Sequence, residues 1–194
     1  MSSIPALDAW VPMSVGAVGA LMEGTEVRWW LSGGCALDLF ARRRIRPHGD
    51  IDISVARDDW DALRMHAGGR LEYFAARQGA LTPVPAIIPE AIHNVWTREV
   101  GSRSWQLQVN LEPVVDGVWR YRRDERVQRP LGEVVRVDRE VPYVTPAVQL
   151  LWKAKAPTSK DEIDKAAVFD LLDPSEREWL SASIALAHAD SPWA

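Results

Sequence analysis

One cysteine, Cys35, in a chain of 194 residues excludes an internal disulfide framework and any cysteine-rich zinc site. Lysine is scarce too: only Lys153, Lys155, Lys160 and Lys165 occur, and arginine carries the positive charge everywhere else. No run approaches the ~18 consecutive apolar residues of a spanning helix, so no transmembrane segment is expected. The formal charge of -4 offers no basic excess, and so no reason to expect a nucleic-acid or membrane surface. The opening Met1-Ser2-Ser3-Ile4-Pro5 lacks the basic start and apolar core of a signal peptide, which makes a cytoplasmic protein the expectation. Repeats and low-complexity tracts are absent as well.

What is present suits an ordinary globular protein. At 47% hydrophobic and 26% charged, the chain can bury the core of one domain, or of one domain with a helical extension. Ten tryptophans are many for this length, and most are expected to be packing residues. Pro12 to Glu23 has the apolar spacing of a helix, with Val15, Val18, Leu21 and Met22 on one face and Gly24 at its end. A short buried strand is expected over Val27–Leu31, a helix over Cys35–Arg43, a strand over Asp50–Val55 and a helix over Asp58–Met65. Further strands are expected at Leu71–Phe74, Ile92–Glu99 and Trp105–Glu112, and Arg120–Arg129 reads as a charged connection. After Val144 the character changes. Thr145-Pro146, Ser159 with Glu162, and Asp173-Pro174 with Glu176 are three helix starts. The expectation is an α/β (α+β) core with a small mixed sheet and flanking helices over 1–144, followed by a helical region over 145–194.

Two features along this chain carry chemistry. Ser32-Gly33-Gly34 lies between a strand and a helix, where glycines admit close backbone approach and the helix N-terminus offers N–H groups to a phosphate. Asp50 and Asp52 stand two apart on a strand, so both side chains leave one face, roughly 7 Å apart at Cα. Such a pair suits Mg²⁺-like ions held by a few carboxylates and by substrate phosphates.

The stretch Trp30-Leu-Ser-Gly-Gly-Cys-Ala-Leu-Asp38, followed by His48-Gly-Asp50-Ile-Asp52-Ile53, resembles the signature of the polymerase-β-type nucleotidyltransferases. It is most similar to the small antibiotic-modifying branch, the aminoglycoside 2″-O- and lincosamide nucleotidyltransferases. The resemblance implies transfer of a nucleoside monophosphate from a Mg²⁺-bound NTP, with two ions, to a hydroxyl of a small acceptor. It also implies that Asp50 and Asp52 ligate the metals, that Ser32, Gly33 and Gly34 meet the phosphates, and that a third acid on a later strand completes the site. Glu112 is the expected third acid, as base or ligand. Asn110 competes for that position, and with Asn110 there the third carboxylate is missing.

Other residues have two readings each. His48 either donates to a phosphate or to Asp50, or shapes the loop. Cys35 is either a reactive thiol at a helix start or a packing residue, and Asp38 is expected to fix its helix locally. Arg42, Arg43, Arg44 and Arg46 form either a solvated face or one that sends a side chain to a triphosphate. Lys153 is expected to place an ammonium on phosphate, against a plain surface role. Asp161, Glu162 and Asp164 are expected to serve caps and ion pairs. A cationic acceptor would need further acids, for which Glu90, Asp116 and the Asp161–Asp164 run are the candidates. Two rival functions stay open: the same chemistry on RNA or protein, as in a toxin, and a non-catalytic nucleotide-binding relative.

Overall fold

The computed structural model describes residues 4–77 and 79–194; Met1, Ser2 and Ser3, which open the segment read as lacking a leader, lie outside the described residues. Along the chain, α1 (Val15–Met22) is followed by β1 (Trp29–Ser32), α2 (Gly33–Ala41), β2 (Asp52–Ala56) and α3 (Trp60–Ala67). Strands β3 (Leu71–Arg77), β4 (Ala80–Pro83), β5 (Asn94–Glu99) and β6 (Leu107–Glu112) come next. Short pieces follow: β7 (Val114–Val115), β8 (Val118–Arg120), β9 (Gln128–Pro130), α4 (Leu131–Val134), β10 (Val135–Asp138) and β11 (Val141–Val144). Helices α5 (Pro146–Ala154), α6 (Ser159–Val168) and α7 (Pro174–Ala187) close the chain. None of the described helices is long and apolar enough to cross a membrane.

Two compact units result, and the chain visits each twice. The first holds the described residues up to Trp29 together with His48–Glu112, and the second holds Trp30–Pro47 together with Pro113–Ala194. The helices after residue 144 thus share a unit with α2 and with the short strands of 113–144.

In the first unit β2 pairs in parallel with β6, and β6, β5, β3 and β4 continue the sheet antiparallel. Alternation explains β6: Leu107, Val109 and Leu111 are buried, while Gln108 and Asn110 are half-buried on the opposite face. An edge-to-face aromatic cluster holds one face. Trp96 meets Trp10 at 4.8 Å and Trp105 at 5.6 Å between ring centroids, and Phe74 meets Trp105 at 5.1 Å. The segment before α1 is tied to the same place, through a Trp10–Trp105 bridge and a hydrogen bond of 2.9 Å from the Trp105 indole to the Ala6 carbonyl.

In the second unit β1 pairs in parallel with β11 at Leu31–Tyr143, β11 pairs antiparallel with β10, and β7, β8 and β9 form a separate small sheet. Helix α5 is the centre of this unit, with Ala147, Val148, Leu150, Leu151 and Ala154 all fully buried. Asp173 caps α7 by accepting from the Glu176 N–H at 2.9 Å, at the expected position. The start of α6 differs by one residue from the expected capping box: Thr158 is the cap and Asp161 reaches back to it. Aspartate is shorter than Glu162, and Thr158 stands where it satisfies both reciprocal bonds. The tryptophans are mainly packing residues as expected, with Trp30, Trp60, Trp105 and Trp119 buried.

Candidate active site

The acids stand in the first unit. Asp52 opens β2, Ile53 and Val55 are buried on the far face, and Asp50 is exposed just before the strand. Asp58, Asp59 and Trp60 follow in a tight turn, where the Asp59 carboxylate takes the Arg28 guanidinium at 2.7 Å and the Arg28 backbone N–H at 2.8 Å. Those bonds outweigh burial and hold Asp59 below the usual carboxylate range. Beyond β2, Arg57 donates to the Glu90 carbonyl at 3.1 Å and approaches His93 Nδ1 at 3.1 Å. His48 is half-buried at the start of this segment.

Register defines what faces Asp52. On the parallel neighbour β6 its partner is Gln108, the partner of Ser54 is Asn110, and that of Ala56 is Glu112. One strand further, Gln108 pairs with Trp96 and Asn110 with Asn94. These side chains share the Asp52 face and are hydrogen-bonded to one another. The Trp96 indole donates to Gln108 Oε1 at 2.7 Å, while Asn110 Oδ1 accepts from Asn94 at 2.6 Å and from Gln108 at 3.0 Å. Amides therefore occupy the places nearest Asp52 on β6.

Glu112, the expected third acid, pairs with Ala56 rather than with Asp52. It is buried four residues beyond Gln108, about 13 Å along the sheet by strand rise. Among the described residues no group of three or more His, Cys, Asp or Glu side chains is placed to hold a metal ion.

The glycine turn stands in the second unit. Gly33 has φ +69°, a left-handed conformation that a Cβ would strain, and α2 begins directly on it rather than at Cys35. Its N–H donates to the side-chain oxygen of Gln149 at 2.7 Å, so a buried amide from α5 fixes the turn. The first N–H groups of a helix have no partner within it, and the Ser32 side chain does not cap α2. At the other end of α2, Asp38 accepts from the Ile45 N–H at 2.9 Å, the local role expected of it.

Lys153, expected to place an ammonium on phosphate, is engaged by two acids. Its ammonium is ion-paired with Asp161 at 2.6 Å and with Asp164 at 2.9 Å. Asp164 is wholly buried and also takes the Arg46 guanidinium in a two-pronged contact, 2.8 Å on each side. Burial alone would raise Asp164, but the bonds from Arg46 and Lys153 win and keep it below the usual carboxylate range. Asp161 is likewise lowered, with burial outweighed by bonds from Lys153 and Thr158. The acid cluster serves a cap and ion pairs, as expected, and it engages Lys153 and Arg46 in doing so.

Gln149, Asn94 and Trp96 were not among the expected site residues. A lone amide inside Ala147-Val148-Gln149-Leu150-Leu151 was the available signal for the first. Asn94 and Trp96 acquire meaning only through β5–β6 pairing, which no local pattern announces.

The fold is similar to that of solved antibiotic adenylyltransferases. Residues 14–84 match the family model described as aminoglycoside-2''-adenylyltransferase. The lincosamide antibiotic adenylyltransferase LnuA, solved with lincomycin bound, superposes with TM-score 0.57 at 13% identity, over 88% of this chain and 100% of that one. The solution structure of the antibiotic-resistance factor ANT(2'')-Ia gives TM-score 0.56 at 15% identity, over 91% and 93%. A crystal structure of ANT(2'')-Ia with adenylyl-2''-tobramycin gives 0.55 at 12%, over 89% and 97%. No curated protein sequence matches the chain.

Proposed function

We propose that the chain is a divalent-cation-dependent nucleotidyltransferase that moves a nucleoside monophosphate from an NTP to a hydroxyl of a small molecule. The observation that carries this reading is the Asp50–Asp52 pair at the open start of β2, in a fold of this class. Two carboxylates suit a cation that takes its remaining ligands from substrate phosphates and water, as Mg²⁺ does. When bound, that cation would neutralise charge on the phosphates and lower the pKa of a coordinated acceptor hydroxyl.

Each residue then has a task of its own. Asp50 and Asp52 would hold the cation. The Ser32-Gly33-Gly34 turn offers the positive end of α2 to phosphate, and Gln149, by taking the Gly33 N–H, keeps the turn in its left-handed form. His48 donates to a phosphate oxygen. The acceptor oxygen forms a bond to the α-phosphorus as the bond to pyrophosphate breaks, and the hydroxyl proton passes to solvent water.

The amides Gln108 and Asn110, where a third carboxylate would stand, favour a second reading: a nucleotide-binding relative without turnover. Calorimetry with ATP, GTP, CTP and UTP, with and without Mg²⁺, combined with a pyrophosphate-release assay over hydroxylated acceptors, decides between them. Binding that needs the metal, with pyrophosphate release lost in Asp50→Asn and Asp52→Asn at unchanged circular dichroism, supports the enzyme. Metal-dependent binding without release supports the second reading, and tight binding that ignores the metal refutes both.

A further inference from the structure

Beside Asp52, on the same face of the first unit's sheet, lies a cavity of about 290 Å³. Two rungs form its floor. One is the Gln108–Trp96 pair, whose next member inward is Asp52 itself. The other carries Asn94, Ala76 and Leu81, and continues inward through Asn110 to Ser54. Leu7, from the segment held by the Trp105 indole, closes one side, and Arg77 stands at the exposed rim.

Resting on the nucleotidyltransferase reading above, we infer that this cavity is the acceptor subsite and that it takes an uncharged hydroxylated ring rather than a polycation. Size comes first: a volume at the small end of ligand pockets, which start near ~300 Å³, admits one or two rings. The wall chemistry comes second. Leu7, Leu81 and the Trp96 indole offer apolar and aromatic faces, and Gln108 and Asn94 are amides fixed by their own hydrogen bonds. Such fixed dipoles orient a hydroxyl without supplying net charge. Charge comes third. No acidic side chain is among the described lining residues, and Arg77 is the one charged residue there. Asp161 and Asp164, two of the acids a polycation could use, are ion-paired with Lys153 and Arg46.

The test titrates the full chain, without nucleotide, by saturation-transfer NMR and calorimetry. The uncharged probe is phenyl β-D-glucoside and the polycation is tobramycin. Ala76→Trp fills the cavity from its floor, and circular dichroism checks that the fold is retained. Saturable glucoside binding that weakens about tenfold or more in Ala76→Trp is expected, with none for tobramycin. Three results would overturn the inference: no saturable glucoside binding, glucoside binding indifferent to Ala76→Trp at unchanged circular dichroism, or wild-type tobramycin binding that Ala76→Trp abolishes. Metal-dependent NTP binding, measured on the same samples, keeps the two readings apart. Its loss beside intact glucoside binding would remove the reaction and leave the ring site, and the reverse would remove the ring site alone.

Discussion

Replacing Asp164 by asparagine should be the most costly single change in the second unit outside its apolar core. The carboxylate is wholly buried and holds two cations, Arg46 at 16% and Lys153 at 11% side-chain exposure. Asparagine keeps the shape and one acceptor but removes the charge. Breaking a buried pair from one side costs about 3–5 kcal/mol, because the remaining charge is desolvated without compensation. The low end applies here. Lys153 keeps Asp161 at 2.6 Å, and Arg46 keeps the Pro47 carbonyl at 3.2 Å. A loss of about 3 kcal/mol corresponds to a fall in Tm of roughly 6–12 °C for a chain of this length. Urea titration followed by circular dichroism and by tryptophan fluorescence measures it. The double change Arg46→Met with Asp164→Leu should cost less than Asp164→Asn alone, since it removes the uncompensated charge together with its partner. A loss below about 1 kcal/mol for Asp164→Asn, the size of a surface pair, would refute the reasoning.

The same group sets a pH dependence. Asp164 and Asp161 have folded pKa values below the unfolded value of about 3.9, so their contribution is complete above that value and disappears as pH falls through the folded ones. Thermal unfolding between pH 7 and pH 2 should therefore fall more steeply for the wild type than for Asp164→Asn, and parallel curves would contradict this. Gly33→Ala forces a Cβ into a left-handed residue and should cost about 1–2 kcal/mol, read as a lower Tm; an unchanged Tm would show that the turn has another conformation. Glu112→Gln should leave kcat close to wild type, because Glu112 lies apart from Asp52. A fall of roughly tenfold or more at unchanged NTP affinity would return Glu112 to the chemistry.

Much of this was legible in local pattern. Asp173-Pro174 with Glu176 and the alternation of β6 are signals within a few residues, and those elements stand where the signals put them. The Asp50–Asp52 spacing and the Gly33-Gly34 turn were likewise visible, because each depends on neighbours in sequence. The strands β4 and β7 to β11 were not. They span two to four residues, too few to show a period, and β8 and β9 overlap the ends of Arg120–Arg129, which reads as a charged connection until the two pair with each other. The choice among the candidates for a third acid was open for a related reason. Gln108, Asn110 and Glu112 alternate identically, and only pairing with β2 shows which of them stands beside Asp52. The ion pairs of Lys153 were not legible because its partners, Asp161 and Asp164, come from the next helix.

The segment carrying Leu7 and Trp10 has a consequence for the order in which the chain is made. Its anchor, Trp105, follows Ala6 by 99 residues. At synthesis rates of about 5–20 residues per second, the ribosome delivers that anchor roughly 5–20 s after the segment itself. During the wait Leu7 and Trp10 have no aromatic cluster to join, and β6 does not yet exist to receive β2 or β5. The first unit therefore cannot close until the nascent chain has passed Glu112, by which time α2 has already left the exit tunnel. A stalled or truncated product ending before Trp105 would display its own N-terminus as an apolar ribbon, a natural mark for chaperones and proteases.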